Sequence, residues 1–150
     1  MKRALEREMR LELPREEVFE FFADAFNLQE ITPPDVHFRV LTPAPIELRK
    51  GTRIDYRISV FRFPFHWRTV LALWEPPLRF VDEQERGPYR SWVHSHEFSD
   101  LGEGTLMRDR VQYELPWSPL GELAHPMVRR KLDRIFDFRQ AKIQQLFSRA

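Results

Sequence analysis

The chain has 150 residues, of which 42% are hydrophobic and 31% are charged, and its formal net charge is +1. This balance is typical of one folded domain spanning residues 1–150. It excludes a disordered chain and argues against nucleic-acid binding. Cysteine is absent, which excludes disulfides and thiolate chemistry, and no apolar run approaches the ~18 residues of a membrane span, so we expect a soluble cytoplasmic protein.

The first half of the chain predicts a strand, two short helices and then further strands. Residues 5–13 alternate apolar and charged side chains with the period of a strand. Pro14 then opens a helix, and Asp24 caps a second short helix that ends at Thr32-Pro33-Pro34. Four further strands are predicted at residues 36–41, 52–61, 67–74 and 78–85.

The segment 87–116 predicts a β-hairpin whose inward face carries polar as well as aromatic side chains. His94 and His96 share one face of the first arm with Trp92, and Asp109 lies on the matching face of the second arm. A turn over residues 99–104 would pair Phe98 with Thr105 and place His94 opposite Asp109. Because burying polar groups costs free energy unless they find partners, this pattern predicts a lined cavity.

The last third of the chain predicts a long amphipathic helix that covers the sheet. Ser118 is placed to cap it, Pro119 to occupy its first position and Pro126 to kink or divide it. The apolar stripe on this helix comprises Val128, Leu132, Ile135, Phe136, Ile143, Leu146 and Phe147. The fold class is therefore α+β, an antiparallel sheet with one apolar face packed on one helix.

Three passages resemble the START-like superfamily with its helix-grip fold, which includes polyketide cyclases/dehydratases and coenzyme-Q-binding proteins. They are LPREEVFEFFADAFNLQEITPP at 13–34, FVDEQERGPYRSWVHSHEF at 80–98 and GTLMRDRVQYELP from 104. The resemblance covers essentially the whole chain and is strongest to small uncharacterised bacterial ligand-binding members. It implies a curved sheet wrapped around the last helix with a ligand cavity between them, and it is weak for function because this fold hosts carriers, enzymes and binding modules alike.

The candidate site residues line the predicted cavity. The ligand-binding candidates are Tyr56, Trp67, Trp92, His94, His96, Asp109, Tyr113, Phe136 and Arg139. His94 and Asp109 are the catalytic candidates, although a hydrogen bond that orients His94 is the interpretation we favour over a metal site, and no metal or cofactor is expected. Arg139 would either bind an anionic ligand group or pair with Asp82 or Asp109.

Three functions remain open from the sequence. The favoured one is binding or transport of a small hydrophobic ligand with a polar end, such as a lipid, isoprenoid, quinone or polyketide. The first alternative is a cyclase- or dehydratase-like enzyme that transfers protons through His94 and Asp109. The second is an interaction module in which Phe61, Phe63 and Phe65, at a predicted hairpin tip, contact a protein or a membrane.

Overall fold

A computed structural model describes residues 1–147 as a seven-stranded antiparallel sheet with one long C-terminal helix. The strands are β1 (Arg3–Leu11), β2 (Arg39–Val40), β3 (Arg53–Val60), β4 (Phe63–Glu75), β5 (Arg79–Arg86), β6 (Ser91–Leu101) and β7 (Gly104–Glu114). The helices are α1 (Arg15–Phe22), α2 (Asn27–Glu30) and α3 (His125–Phe147), with 3-10 turns at Pro34–Val36 and Leu120–Ala124. The strand order in the sheet is β1-β7-β6-β5-β4-β3-β2.

Helix α3 packs along the apolar face of the curved sheet, which confirms the predicted α+β helix-grip fold. Leu132, Phe136 and Ile143 are its buried residues. Leu132 and Phe136 pack with Val111 and Tyr113 of β7, while Ile143 joins the cluster that holds α1. Within the described residues, no helix is long and apolar enough to cross a membrane.

Helix α1 closes one end of the sheet with aromatic side chains. The ring of Phe19 contacts the rings of Trp74, Phe80 and Phe98 at centroid distances of 5.2 to 5.8 Å. Edge-to-face and tilted arrangements of this kind are favourable beyond the area that they bury. This end of the sheet is therefore filled by protein.

Two helix and strand boundaries differ from the sequence prediction. The strand expected at 36–41 contains only Arg39–Val40, because Pro33 and Pro34 start a 3-10 turn where an extended strand was expected. Ser118 makes no capping hydrogen bond, and a separate 3-10 turn precedes α3. Pro126 lies in the first turn of α3, where no backbone N–H is needed, so it does not kink the helix.

The register predicted for the β6–β7 hairpin was wrong by two residues. The strands run on to Leu101 and from Gly104, so that Phe98 pairs with Met107 rather than Thr105. Gly102 has φ 63 and lets a two-residue turn close the hairpin. His96 rather than His94 thus lies opposite Asp109, and because the shift is two residues, every side chain keeps its predicted face.

Side chains from α3 cover the outer edge of β1. Gln140 Nε2 donates to the Glu8 carbonyl at 2.9 Å and Gln144 Nε2 to the Arg10 carbonyl at 3.0 Å. These carbonyls belong to an edge strand, whose second partner in the sheet is missing. The glutamines, which the sequence showed only as a polar helix face, therefore fix α3 to β1.

Candidate functional site

Four ionisable side chains meet on the face of the sheet that packs against α3, and we refer to them as the quartet: Asp82, His94, His96 and Asp109. They come from the adjacent strands β5, β6 and β7. The strand register places Asp82 opposite His94 and His96 opposite Asp109. His94, His96 and Asp109 are buried and Asp82 is half-buried, so the inward polar face predicted from the alternation is present.

Hydrogen bonds join the quartet into two pairs that lie in contact with each other. His94 Nε2 donates to Asp109 Oδ1 at 2.9 Å, and His96 Nε2 donates to Asp82 Oδ2 at 2.7 Å. His96 Nδ1 lies 3.2 Å from the same Asp109 oxygen, a close contact between a cation and a carboxylate that lacks hydrogen-bond geometry. The two imidazole rings stack with centroids 3.7 Å apart, which locks both rings in orientation.

The two histidines are driven to opposite protonation states. Burial disfavours a charge on His96, but the neighbouring carboxylates of Asp109 and Asp82 outweigh it and raise the His96 pKa. Burial and the neighbouring His96 lower the His94 pKa, and their effect exceeds that of Asp109, which would raise it. The surroundings therefore favour the imidazolium form of His96 and the neutral form of His94.

Both carboxylates of the quartet stay ionised. Burial alone would raise the pKa of Asp109, but the hydrogen bond from His94 and the close contact with His96 outweigh burial and hold that pKa well below its ordinary value. The pKa of Asp82 is lowered in the same way, chiefly by its hydrogen bond with His96 acting against burial. The quartet therefore carries two negative charges and one positive charge.

Neutral His94 presents an unoccupied acceptor. Since its Nε2 donates to Asp109, the proton sits on that nitrogen and Nδ1 keeps its lone pair. Among the described residues, nothing hydrogen-bonds to that nitrogen. This atom can accept a proton or a hydrogen bond from a bound molecule, whereas both nitrogens of His96 face carboxylates.

Arg139 supplies a second cation from α3. Its Nε is buried without a hydrogen-bond partner, and its guanidinium lies 4.9 Å from the centre of the Phe136 ring. Burial lowers its pKa, and Asp109 and Asp82 oppose that shift. Within the described part of the chain no carboxylate oxygen comes within 4.0 Å of Arg139, so the direct pairing with Asp82 or Asp109 considered from the sequence is not formed.

Three of the predicted aromatic residues form a wall beside the quartet. Tyr56 on β3 and Trp67 on β4 are opposite each other in register and both are buried. Trp67 meets Trp92 of β6 at 5.3 Å with perpendicular rings, and Trp92 meets the His94 ring at 6.4 Å. Burial raises the pKa of Tyr56, with Asp82 adding to that shift and Arg139 opposing it, so its phenol is close to the charged groups.

Tyr113 and Phe136, the other two predicted aromatic residues, belong to the packed core between β7 and α3. Tyr113 is fully buried, and its hydroxyl lies 3.0 Å from Nε2 of His125. Phe136 meets the His94 ring at 5.6 Å and so reaches the quartet. Contact of either residue with a ligand stays a prediction.

Sequence reasoning did not include Asp82 or Tyr89 among the site residues. Asp82 lies two residues after Phe80 on β5 and faces the same way, so the alternation of that strand carried the signal. Tyr89 follows Gly87-Pro88 in a predicted turn, where no periodicity applies. Its ring nevertheless packs 4.9 Å from Trp92 and 5.8 Å from Trp67.

The spacing of the quartet also invites comparison with a metal centre. Asp82, His94 and His96 each offer one ligand atom, and these atoms lie within 4.8 Å of one another. The imidazole planes, however, are nearly parallel, at 29°, so their lone pairs do not converge on one point. Two of the donor nitrogens already bond to carboxylates. The geometry favours the hydrogen-bonded interpretation, and an absence of metal stays a prediction.

One cavity of the described structure lies away from the quartet. It is an open groove of about 420 Å³ between β1 and α3, lined by residues that include Glu8, Arg10 and Gln140. This groove belongs to the polar outer edge of the sheet. The hollow expected between sheet and helix is supported by the inward direction of the quartet and stays a prediction.

The comparisons with known proteins agree with this fold. Residues 11–138 match the model of the family described as polyketide cyclase / dehydrase and lipid transport. The chain belongs to this family. A search of curated protein sequences gives no significant match. The resemblance identified in three segments of the sequence is thus confirmed over most of the chain.

Solved structures with the same fold include other members of this superfamily. The ZhuI aromatase/cyclase from Streptomyces sp. R1128 aligns with a TM-score of 0.79 and 15% identity over 99% of this chain and 95% of its own. The protein TTHA0849 from Thermus thermophilus aligns with a TM-score of 0.69 and 17% identity over 97% of this chain and 100% of its own. A START superfamily protein from Mycobacterium smegmatis aligns with a TM-score of 0.68 and 11% identity over 95% of this chain and 98% of its own. At these identities the likeness establishes the fold.

Proposed function

We propose that the protein binds or carries a small, mostly hydrophobic molecule whose polar end is held by the quartet. The observation that carries this proposal is a cluster of four ionisable groups, three of them buried, on the helix-facing side of the sheet next to an aromatic wall. A purely structural core would gain more from aliphatic side chains at these positions. A ligand class such as a lipid, isoprenoid, quinone or polyketide matches apolar walls with a few polar groups.

The charge balance favours an uncharged polar end. The negative charges of Asp82 and Asp109 are offset by His96 and Arg139, so the buried site is neutral as a whole. A ligand carboxylate would add an uncompensated buried charge, whereas a hydroxyl can donate to Nδ1 of His94 without doing so. We therefore favour a phenol, alcohol or similar neutral group as the polar end.

Native mass spectrometry of protein purified from cells tests the carrier proposal. Wild-type protein should retain a co-purifying lipophilic molecule, and His94→Gln should retain less of it because the acceptor Nδ1 is removed. Ser95→Ala, on the other face of the same strand, is the matched control and should retain the wild-type amount. Wild-type protein that is reproducibly empty would count against the proposal.

Catalysis is the second candidate function, and the divergence of the two histidine pKa values favours it. Groups whose environments push their pKa values apart are the usual acid and base of an active site. His94 would be the base, because its Nδ1 is free, and Asp109 would hold its tautomer. In this reaction a proton would move from an acidic carbon or hydroxyl of the ligand to His94 Nδ1.

A product analysis separates this alternative from carriage. Wild-type protein, supplied with a linear poly-β-ketone chain, should shift the products toward cyclised aromatic compounds if it is an enzyme, and His94→Gln should abolish the shift. If wild-type protein binds the chain measurably but does not change the product distribution, catalysis of this reaction is excluded and ligand carriage remains as the function.

The remaining expectations on partners and location stay proposals. The absence of cysteine from the sequence suits a cytoplasmic site. The near-neutral net charge gives no reason to expect nucleic acid. Phe63 and Phe65 are exposed at the start of β4, while Phe61 is half-buried. The rings of Phe63 and Phe65 are therefore accessible for the proposed contact with a protein or membrane.

A further inference from the structure

Large exposed apolar side chains gather at one end of the sheet. At this end β3, β5 and β7 finish and β1, β4 and β6 begin. Among the residues described, seven of the ten large apolar side chains that are exposed lie here: Met1, Phe63, Phe65, Trp117, Leu120, Leu123 and Met127. The other three are Leu41, Leu78 and Leu101. We call this set of seven the apolar end.

The segment that leads into α3 contributes the two most exposed members, Trp117 and Leu123. Trp117 is 83% exposed, Leu123 79% and Leu120 72%. Trp117 also has φ 57, a left-handed conformation that bulky residues rarely adopt. A backbone that holds a tryptophan away from the core, followed by two leucines on a 3-10 turn, presents the large apolar surface that normally marks a contact site.

The two parts of the apolar end are joined across α3. The Lys131 Nζ lies 5.0 Å from the centre of the Phe61 ring, which connects the β3–β4 turn to the helix. Met127 is one helical turn before Lys131 and therefore on the same side of α3. The hairpin turn at Phe61 and the exposed Met127 thus lie on the same side of α3.

Unpaired positive charge surrounds this surface. Lys2, Arg62, Arg130 and Lys131 are exposed, and in the described part of the chain none of them has a carboxylate oxygen within 4.0 Å. The nearby acids are already occupied, because Glu122 pairs with Arg3 at 2.8 Å and Glu114 lies 3.6 Å from Arg90. The rim of the apolar end therefore attracts an anionic partner.

We propose that the apolar end docks on the surface of an anionic lipid bilayer. Tryptophan and leucine side chains would enter the headgroup region, and the four cations would lie over the lipid phosphates. A second copy of the chain fits less well, because a two-fold contact would bring the unpaired cations of both copies together. The docking does not depend on the ligand proposed for the quartet.

Co-sedimentation with vesicles tests the docking surface. Wild-type protein should bind vesicles of phosphatidylcholine mixed with phosphatidylglycerol, bind vesicles of phosphatidylcholine alone much more weakly, and be released by salt. The double variant Trp117→Ser/Leu120→Ser should lower the partition coefficient at least about tenfold. Arg130→Gln/Lys131→Gln should lower it by about fivefold per charge removed.

A matched variant at the opposite end of the sheet supplies the control. Leu78→Ser/Leu101→Ser removes two exposed apolar side chains there and should leave vesicle binding unchanged. Urea midpoints of all variants should stay close to wild type, because the altered side chains are exposed.

Three results would overturn the docking proposal: wild-type protein that does not bind the anionic vesicles, equal losses in the serine variants of the two ends, or self-association through Trp117 without vesicle binding. Native mass spectrometry of Trp117→Ser/Leu120→Ser keeps the two proposals apart. A ligand retained in this variant while vesicle binding is lost supports both of them.

Discussion

His94 and His96, two residues apart on β6, differ in pKa because of their positions on the strand. His96 lies between Asp82 and Asp109 and gains two carboxylate partners, whereas His94 has only Asp109. Both rings are equally buried, at 4% exposure, so desolvation does not distinguish them. The number of carboxylates within reach decides which ring keeps its proton, and that number follows from the strand register.

Asp109 should contribute to stability in a pH-dependent way. Its folded pKa is depressed, so its contribution is present above the ordinary carboxyl pKa of about 4 and is lost as the pH falls below that value. Asp109→Asn should lower the free energy of unfolding by about 2 kcal/mol at pH 7. The difference from wild type should shrink toward pH 3. Urea unfolding at pH 7, 5 and 3 checks this, and a gap that is independent of pH would contradict it.

Arg139 should control which charge type of ligand the site accepts. In wild-type protein, 2-naphthol should bind about tenfold more tightly than 2-naphthoate, since the carboxylate adds a buried charge. Arg139→Met should weaken naphthoate binding further and affect naphthol less. Isothermal titration calorimetry with both compounds measures this. Tighter binding of naphthoate by wild-type protein would instead assign Arg139 as an anion-binding group.

The sequence was sufficient to find three of the four quartet side chains, but it did not show which of them are partners. Period-two alternation placed His94, His96 and Asp109 on one inward face, and the structure confirms that they are buried there. Which side chains face each other depends on the length of the β6–β7 turn. The alternation of side chains along a strand does not determine that length. Asp82 was considered only as a partner for Arg139, because its strand was seen mainly as a connection to the hairpin.

At the scale of elements, the two hairpin turns differ in how well their residues suit them. The β3–β4 turn has Phe61 and Arg62 at φ 50 and 72, while the β6–β7 turn uses Gly102 at φ 63. Left-handed conformations are costly for side-chain-bearing residues and cost little for glycine. The first turn therefore stores strain that the second avoids.

Exchanging these residues should change stability in opposite directions. Arg62→Gly should raise the free energy of unfolding by about 1 kcal/mol, because the strain at φ 72 is relieved. Gly102→Ala should lower it by about the same amount. Urea midpoints of both variants provide the measurement. A destabilised Arg62→Gly variant would indicate that the Arg62 side chain makes a stabilising contact.

Element types were easier to predict than element ends. Alternation and helical spacing identified the strands around residues 52–61 and 78–85, and the structure has β3 and β5 there within a few residues. Proline was harder to interpret, because the residue both breaks helices and starts them. Pro126 begins α3 rather than interrupting it, and Pro34 starts a 3-10 turn within what was expected to be a loop and strand.

At the scale of the whole molecule, bound ligand should appear as added thermal stability. A ligand that binds only the folded state contributes about 2.7 kcal/mol at a concentration a hundred times its dissociation constant. For a chain of this size, that corresponds to about 5 to 10 °C in melting temperature. Extracting lipids with organic solvent and refolding should lower the midpoint measured by calorimetry. Adding the extract back should restore it, and an unchanged midpoint would indicate that the protein was empty.

The glutamine contacts between α3 and β1 also bear on how the protein behaves at high concentration. Carbonyls at the rim of a sheet are where a foreign chain adds itself as a new strand and begins a filament. Gln140 and Gln144 already occupy two of these acceptors on β1. On the opposite rim, β2 offers only Arg39–Val40, too short a template for strand addition. The helix contacts therefore leave fewer free acceptors on β1 for the addition of a foreign strand.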